Sequence, residues 1–259
     1  MNVVWGKFGV WFILCLTVHI GVGHAQQNFI DHFKGQVLEN WQIADYNFTH
    51  PKFDTDWRRH QVELGNGINL SLTSKDNAEN QFDGASIRRK DKTHFGRYEV
   101  VVKPARGAGV ITGFFTYTGP YYGTQHDEID IEFLGKDTTQ IHLAWFVDGE
   151  LYNKFIDLGF DAADRPRMYA FEWEADRLRW YAEGRLIYEH TSQEGPIPQV
   201  PGYLYANLWA SDPVISSWSG IADTRQRYAA NVRRVSYLSK TNCKASRLRS
   251  YLGHKYCRA

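Results

Sequence analysis

Large apolar side chains recur at every second position in short runs, and Gly, Pro, Asn and Asp part those runs, while spacing suited to a helix is scarce. A period of two places successive side chains on opposite faces of an extended chain. The sequence therefore predicts an all-β fold, a sandwich or jelly roll of two antiparallel sheets. Ile68-Asn69-Leu70-Ser71-Leu72 alternates cleanly, the run 97–102 alternates up to the strand-breaking Pro104, and 168–173 repeats the pattern. Runs 178–181 and 185–188 flank Glu183-Gly184, where a glycine able to take positive φ suits a tight hairpin turn. Pro196, Pro198 and Pro201 predict a rigid loop, followed by late strands over 203–209 and 232–238.

The two ends depart from this alternation. Lys7 precedes an apolar run from Phe8 to Ile20 and a small-residue exit at Gly23-His24-Ala25, which predicts a signal peptide over 1–25. The run falls short of the roughly 20 residues that span a bilayer. A secreted or periplasmic protein with no membrane anchor after leader removal is expected. No composition break divides 26–240, which predicts one large β domain, and 241–259 forms a basic tail. Lys240, Lys244, Arg247, Arg249, Lys255 and Arg258 crowd that end without an acid, reading either as a solvated tail or as a contact for an anionic polysaccharide or cell surface. A short helix over 245–256 is a further expectation. Cys15 leaves with the leader; Cys243 and Cys257 are either a disulfide or two free thiols.

Charge narrows the function classes. The formal net charge is +1 and falls to zero once Lys7 is removed, which argues against a nucleic-acid partner. A monomer is the default.

One run carries chemistry. In Asp127-Glu128-Ile129-Asp130-Ile131-Glu132-Phe133-Leu134, Glu128, Asp130 and Glu132 share one face of a strand and Ile129, Ile131 and Phe133 the other. The apolar face belongs to a core. Three like charges along the opposite face repel one another and cost stability unless solvent or a function compensates. Positions i and i+4 lie about 13 Å apart along a strand, and two glutamates leaning inward bring their carboxyls to about 5 Å, the spacing of nucleophile and acid/base in a retaining glycosidase. Asp130 between them would hydrogen-bond a neighbouring carboxyl and keep one of the three protonated. Tyr117, Tyr121, Tyr122, Trp145 and Trp209 lie on nearby segments; flat rings cover the apolar faces of sugars, though each ring taken singly also reads as sandwich core.

The run from Phe114 through Thr118-Gly119-Pro120 and Gly123-Thr124-Gln125 into Asp127-Glu128-Ile129-Asp130-Ile131-Glu132-Phe133-Leu134-Gly135-Lys136-Asp137-Thr138-Thr139 closely resembles the lichenase-like branch of glycoside hydrolase family 16. The likeness extends from about Phe82 to Leu238, and within the family it is greatest to the rhizobial secreted endo-1,3-1,4-β-glycanases acting on succinoglycan. The resemblance implies a β-jelly roll with a concave substrate cleft. It also implies Glu128 as nucleophile, Asp130 as its assistant and Glu132 as acid/base, with Arg88, Asn207 and Trp209 in substrate contact. The absence of an extra residue between Ile131 and Glu132 resembles the regular-strand branch of the family rather than the bulged one.

Departures from the family bear on the substrate. Ser86 stands where lichenases carry a glutamate, His126 replaces a tryptophan two residues before the nucleophile, and Ile141-His142-Leu143-Ala144-Trp145-Phe146 lacks the asparagine and tyrosine pattern of lichenases. His126 either tunes the nucleophile or caps the strand. Relatives hold a structural calcium through an aspartate near the last strand, where this chain has Arg233 and Arg234, so no cofactor is expected. The sequence thus predicts a retaining endo-β-glucanase on a glucan or an acidic exopolysaccharide, with catalytic Glu128, Asp130 and Glu132 and substrate-binding Arg88, Tyr117, His126, Trp145, Asn207 and Trp209. The alternatives are a non-catalytic lectin-like binder and a transglycosylase.

Overall fold

The computed structural model describes residues 28–34, 38–76 and 79–240. The expected leader, the basic tail, the helix over 245–256 and the Cys243–Cys257 pair lie outside these residues. Within them the chain runs through β1 (Phe29–Asp31), β2 (Trp41–Ile43), β3 (Thr55–Trp57), β4 (Val62–Gly65), β5 (Gly67–Ser74), β6 (Phe82–Thr93), β7 (Gly96–Lys103) and β8 (Val110–Thr118). It continues through β9 (Asp127–Leu134), β10 (Gln140–Val147), β11 (Glu150–Asp157), β12 (Arg167–Trp173), β13 (Arg177–Ala182), β14 (Arg185–Thr191), β15 (Gly202–Ala210), one helical turn α1 (Ser216–Ser219) and β16 (Arg227–Ser239).

The strands hydrogen-bond in the order β11-β10-β9-β8-β15-β6-β5-β16-β7-β12-β13-β14, and every pair is antiparallel except the short β3–β6 contact. The path turns over at β6. Phe82 and Asp83 pair with β5, while 85–93 pair with β15, so one long strand belongs to both layers. The layers then face one another across the core. Phe133 on β9 meets Tyr169 on β12 at 4.7 Å between ring centroids, Trp145 on β10 meets Trp180 on β13 at 5.5 Å, and Phe114 on β8 meets Phe171 on β12 at 6.0 Å. The strands expected from alternation all form, and burial of each large apolar side chain contributes roughly 1.5–3 kcal/mol. The predicted hairpin is present as well: Glu183 and Gly184 take φ of 49° and 80° between β13 and β14. This is the β-jelly roll that the sequence predicted.

One buried carboxylate pins the start of the acidic strand. Asp127, on the core side of β9, accepts hydrogen bonds from the backbone N–H groups of Gln199 (2.7 Å), Val200 (3.0 Å) and Asp148 (3.1 Å), and from Gln125 Nε2 (2.8 Å). It therefore ties the proline-rich loop and the β10–β11 turn to the end of β9 that carries Glu128. Asp127→Ala strands three backbone donors at about 1–3 kcal/mol each. Urea unfolding of that variant is expected to show a loss of about 3 kcal/mol or more.

Candidate active site

The register of β9 decides what surrounds its acids. Ile129, Ile131 and Phe133 are at most 1% exposed and belong to the core, so Glu128, Asp130 and Glu132 occupy the outer face of the first layer. β8 and β10 flank β9, and both pair across 128–132 without a register shift. The strand is regular, as the missing extra residue predicted. Residues directly opposite share a face. Tyr117 and Phe146 therefore stand beside Glu128, Phe115 and Ala144 beside Asp130, and Gly113 and His142 beside Glu132. Further along the same layer, Tyr203, Tyr205 and Asn207 of β15 follow, then Ser86 and Arg88 of β6 and Gln42 of β2.

The three carboxyls differ in environment. Glu128 and Glu132 each keep 17% of their side-chain surface exposed, whereas Asp130 is buried. Burial first, and then the charges of Glu128 and Glu132, push the Asp130 carboxyl well above the usual carboxylate range, and a hydrogen bond toward Glu128 acts in the same direction. Its Oδ2 has no hydrogen-bond partner among the described residues. An ionised carboxylate would not tolerate that position, whereas a carboxylic acid does. The backbone below is held from the opposite layer, because Trp180 Nε1 donates to the Asp130 carbonyl at 3.1 Å.

Each exposed glutamate has a histidine partner. His126 Nε2 lies 2.6 Å from Glu128 Oε2, its ring stacked on Phe146 at 4.4 Å. His142 Nδ1 lies 2.8 Å from Glu132 Oε2. His126 therefore contacts the first glutamate directly and does more than cap the strand. His142 went unnoticed in the sequence. The signal was there: Ile141, Leu143 and Trp145 form the apolar set of β10, which puts His142, Ala144 and Phe146 on the other face.

The same alternation corrects Trp145. It is opposite Ile129, is 2% exposed and packs among Trp180, Tyr188 and His190 between the layers, so it is core rather than a substrate contact. Trp209 is on the acidic face, yet Phe53 stacks on it at 3.9 Å and leaves it 5% exposed. It forms a floor for Phe53 and offers no open sugar platform; the ring beside it is Trp218 of α1.

Arg88 and Tyr117 lie where substrate could reach them. The Arg88 guanidinium sits 4.1 Å from the Tyr203 ring centroid and bonds Gln42, and Lys92 lies 5.4 Å from the same ring. Tyr117 faces Glu128, and burial, with that charge, pushes its hydroxyl up. Asn207 leans over Gly113, where any side chain would collide with its Oδ1, and that oxygen is buried without a partner.

Where a metal was weighed, the last strand carries two arginines. Arg233 donates to Asn231 and Arg234 to Glu99, two guanidinium groups where a cation would need oxygen ligands. No cluster of three or more His, Cys, Asp or Glu among the described residues suits a metal ion. Two accessible carboxyls astride a buried one whose ionisation is disfavoured are the groups that displacement at an acetal carbon requires.

Comparison with known proteins identifies the family. The family described as Glycosyl hydrolases family 16 matches residues 49–230. A β-glucanase of Paenibacillus polymyxa is 37% identical over 235 residues, covering 88% of this chain and 97% of that protein. The solved structure of the Bacillus licheniformis β-glucanase superposes with a TM-score of 0.76 at 38% identity, covering 82% of this chain and 98% of the other. A β-1,3-1,4-glucanase (lichenase) from a mouse hindgut metagenome superposes with a TM-score of 0.77 at 34% identity, covering 81% and 98%. The chain is a hydrolase and belongs to family 16 of the glycosyl hydrolases.

Proposed function

We propose that the protein is an exported, retaining endo-β-1,3-1,4-glucanase acting as a monomer on a polysaccharide, with Glu128 as nucleophile, Glu132 as acid/base and Asp130 as the buried assistant. The observation that carries this reading is the acid trio on one unbulged strand, with Glu128 and Glu132 accessible and Asp130 buried between them, its carboxyl pushed up by burial and by their charges. Glu128 attacks the anomeric carbon while Glu132 gives its proton to the leaving oxygen, forming a glycosyl-enzyme. Water then opens that intermediate with Glu132 as base. Protonated Asp130 donates to Glu128 and spares the site a further charge beside it. Tyr117, Asn207 and Arg88 would contact the glucan.

The finer part of the proposal is an acidic glucan such as the exopolysaccharide succinoglycan. Arg88 and Lys92 gather over Tyr203 and Tyr122 on the acid-bearing face, and Ser86 takes the place of a family glutamate, so that end of the face is cationic and suits an anionic substituent. The test is a panel of succinoglycan, lichenan, laminarin and xyloglucan, with proton NMR of the first-formed product. Cleavage of lichenan and succinoglycan to products of β configuration is expected. Cleavage of laminarin alone would overturn the linkage, and a first-formed α anomer would overturn the two-step mechanism.

A further inference from the structure

Glu132 has a single hydrogen-bonding partner among the described residues. Its Oε2 lies 2.8 Å from His142 Nδ1, and Oε1 makes no hydrogen bond to any described residue. His142 comes from the neighbouring strand, directly opposite Glu132, and its side chain is 6% exposed. Two rings enclose it: Phe155 of β11 at 4.4 Å and 30°, and Trp218 of α1 at 5.6 Å and 71°. Phe155 is itself 46% exposed, so it reaches this position from the open edge of the sheet and not from a core. A buried imidazole walled by aromatic rings cannot turn freely, and the one side-chain hydrogen bond it makes is to Glu132.

We propose that His142 is a positioning residue that decides which oxygen of Glu132 does the chemistry. This rests on the acid/base role of Glu132. An imidazole with its proton on Nδ1 donates to Oε2 and so occupies that oxygen. The catalytic proton then rests on Oε1, the oxygen that the described residues leave without a hydrogen bond. In the first step the Oε1–H bond breaks and its proton passes to the leaving glycosidic oxygen, as the bond from that oxygen to the anomeric carbon breaks and the bond to Glu128 forms. In the second step water returns a proton to Oε1 while its oxygen bonds the anomeric carbon and releases Glu128. His142 keeps its own proton throughout. His126 holds Oε2 of Glu128 in the same manner at 2.6 Å, so both glutamates present one oxygen tied to a histidine.

A positioning role differs from a structural one in its dependence on the leaving group. A sugar alkoxide needs the proton from Glu132, whereas 2,4-dinitrophenolate leaves without it. The experiment measures kcat/KM, which on a retaining enzyme reports steps up to formation of the glycosyl-enzyme. The substrates are the glucan that the wild-type protein cleaves and a 2,4-dinitrophenyl β-oligoglucoside. General acid catalysis is worth about 10²–10⁴-fold, so His142→Leu, similar in volume but without an N–H, is expected to lose about 10- to 100-fold on the glucan and no more than about 3-fold on the aryl glycoside. His142→Gln, which keeps a donor, is expected to recover most of the loss. Equal losses on both substrates, or an undiminished rate on the glucan, would overturn the proposal. Thermal melting confirms folding, and His142→Met replaces the leucine variant if that one does not fold. Glu132→Ala runs alongside. If it shows no leaving-group discrimination, the acid/base reading itself fails; if it does and His142→Leu does not, only the role of His142 fails.

Discussion

Glu128→Ala is expected to lose about 10³-fold or more in turnover, and to regain activity in sodium azide with formation of a glycosyl azide of inverted configuration. The azide anion occupies the space vacated by the carboxylate and attacks the anomeric carbon once, from the same side, so a single displacement replaces two. Glu132→Ala is expected to behave differently. On an aryl glycoside whose phenolate needs no proton, it still forms the glycosyl-enzyme through Glu128. Azide then attacks that intermediate without help from a base and gives the azide of retained configuration. The two variants thus separate nucleophile from acid/base by the stereochemistry of one product. An exchanged outcome would swap the roles of Glu128 and Glu132. A protein that only bound glucan would show no turnover for either variant to lose.

The second large effect concerns Asp130. Burial, followed by the charges of Glu128 and Glu132, holds its folded-state carboxyl well above its unfolded value. The native protein therefore binds a proton that the unfolded chain releases as pH rises past about 4. Stability then falls with pH from that point up to the folded pKa, because the unfolded state holds fewer protons than the native one. Below about pH 4 both states are protonated and the group contributes no slope. Asp130→Asn removes this cost while keeping an N–H donor toward Glu128. Relief of functional strain commonly returns about 0.5–2 kcal/mol, so the variant is expected to melt about 2–6 °C higher at pH 7, with the advantage shrinking toward pH 4. Activity is expected to fall about 10-fold for Asp130→Asn and further, by about 10²-fold, for Asp130→Ala, which loses the donor. Calorimetry between pH 4 and 8 checks the first part. A variant equally stable or less stable than the parent at pH 7 would show that folding does not raise the Asp130 carboxyl above its unfolded value.

Both expectations rest on environment, and the sequence carried only part of it. The alternation of Glu128, Asp130 and Glu132 with Ile129, Ile131 and Phe133 is a local property of an extended chain. It placed the acids on one face before any contact was known. The hairpin at Glu183-Gly184 was equally legible, since a tight turn needs positive φ at a position that glycine fills cheaply. The strands around 68–72, 97–102, 168–173, 203–209 and 232–238 followed from the same period.

Pairings between distant segments were not legible in this way. Alternation along β10 separates Trp145 from His142 and Phe146, yet it does not say what each one meets. The register against β9 does, and it sets Trp145 beside Ile129 and His142 beside Glu132. Trp209 is covered by Phe53, a residue more than a hundred positions earlier in the chain, and no period along one strand predicts such a lid. Arg88 meets Tyr203 because β6 crosses from one layer to the other and pairs with β15.

The sequence by itself thus determined the fold class, the acidic strand and the face on which its three carboxyls stand, because backbone geometry imposes the period of two on every extended residue. Tertiary structure alone decided which acid is buried, which histidine each glutamate meets and which aromatic rings stay open to a sugar. Those properties depend on desolvation and on contacts between strands far apart in the chain, and a linear pattern contains neither.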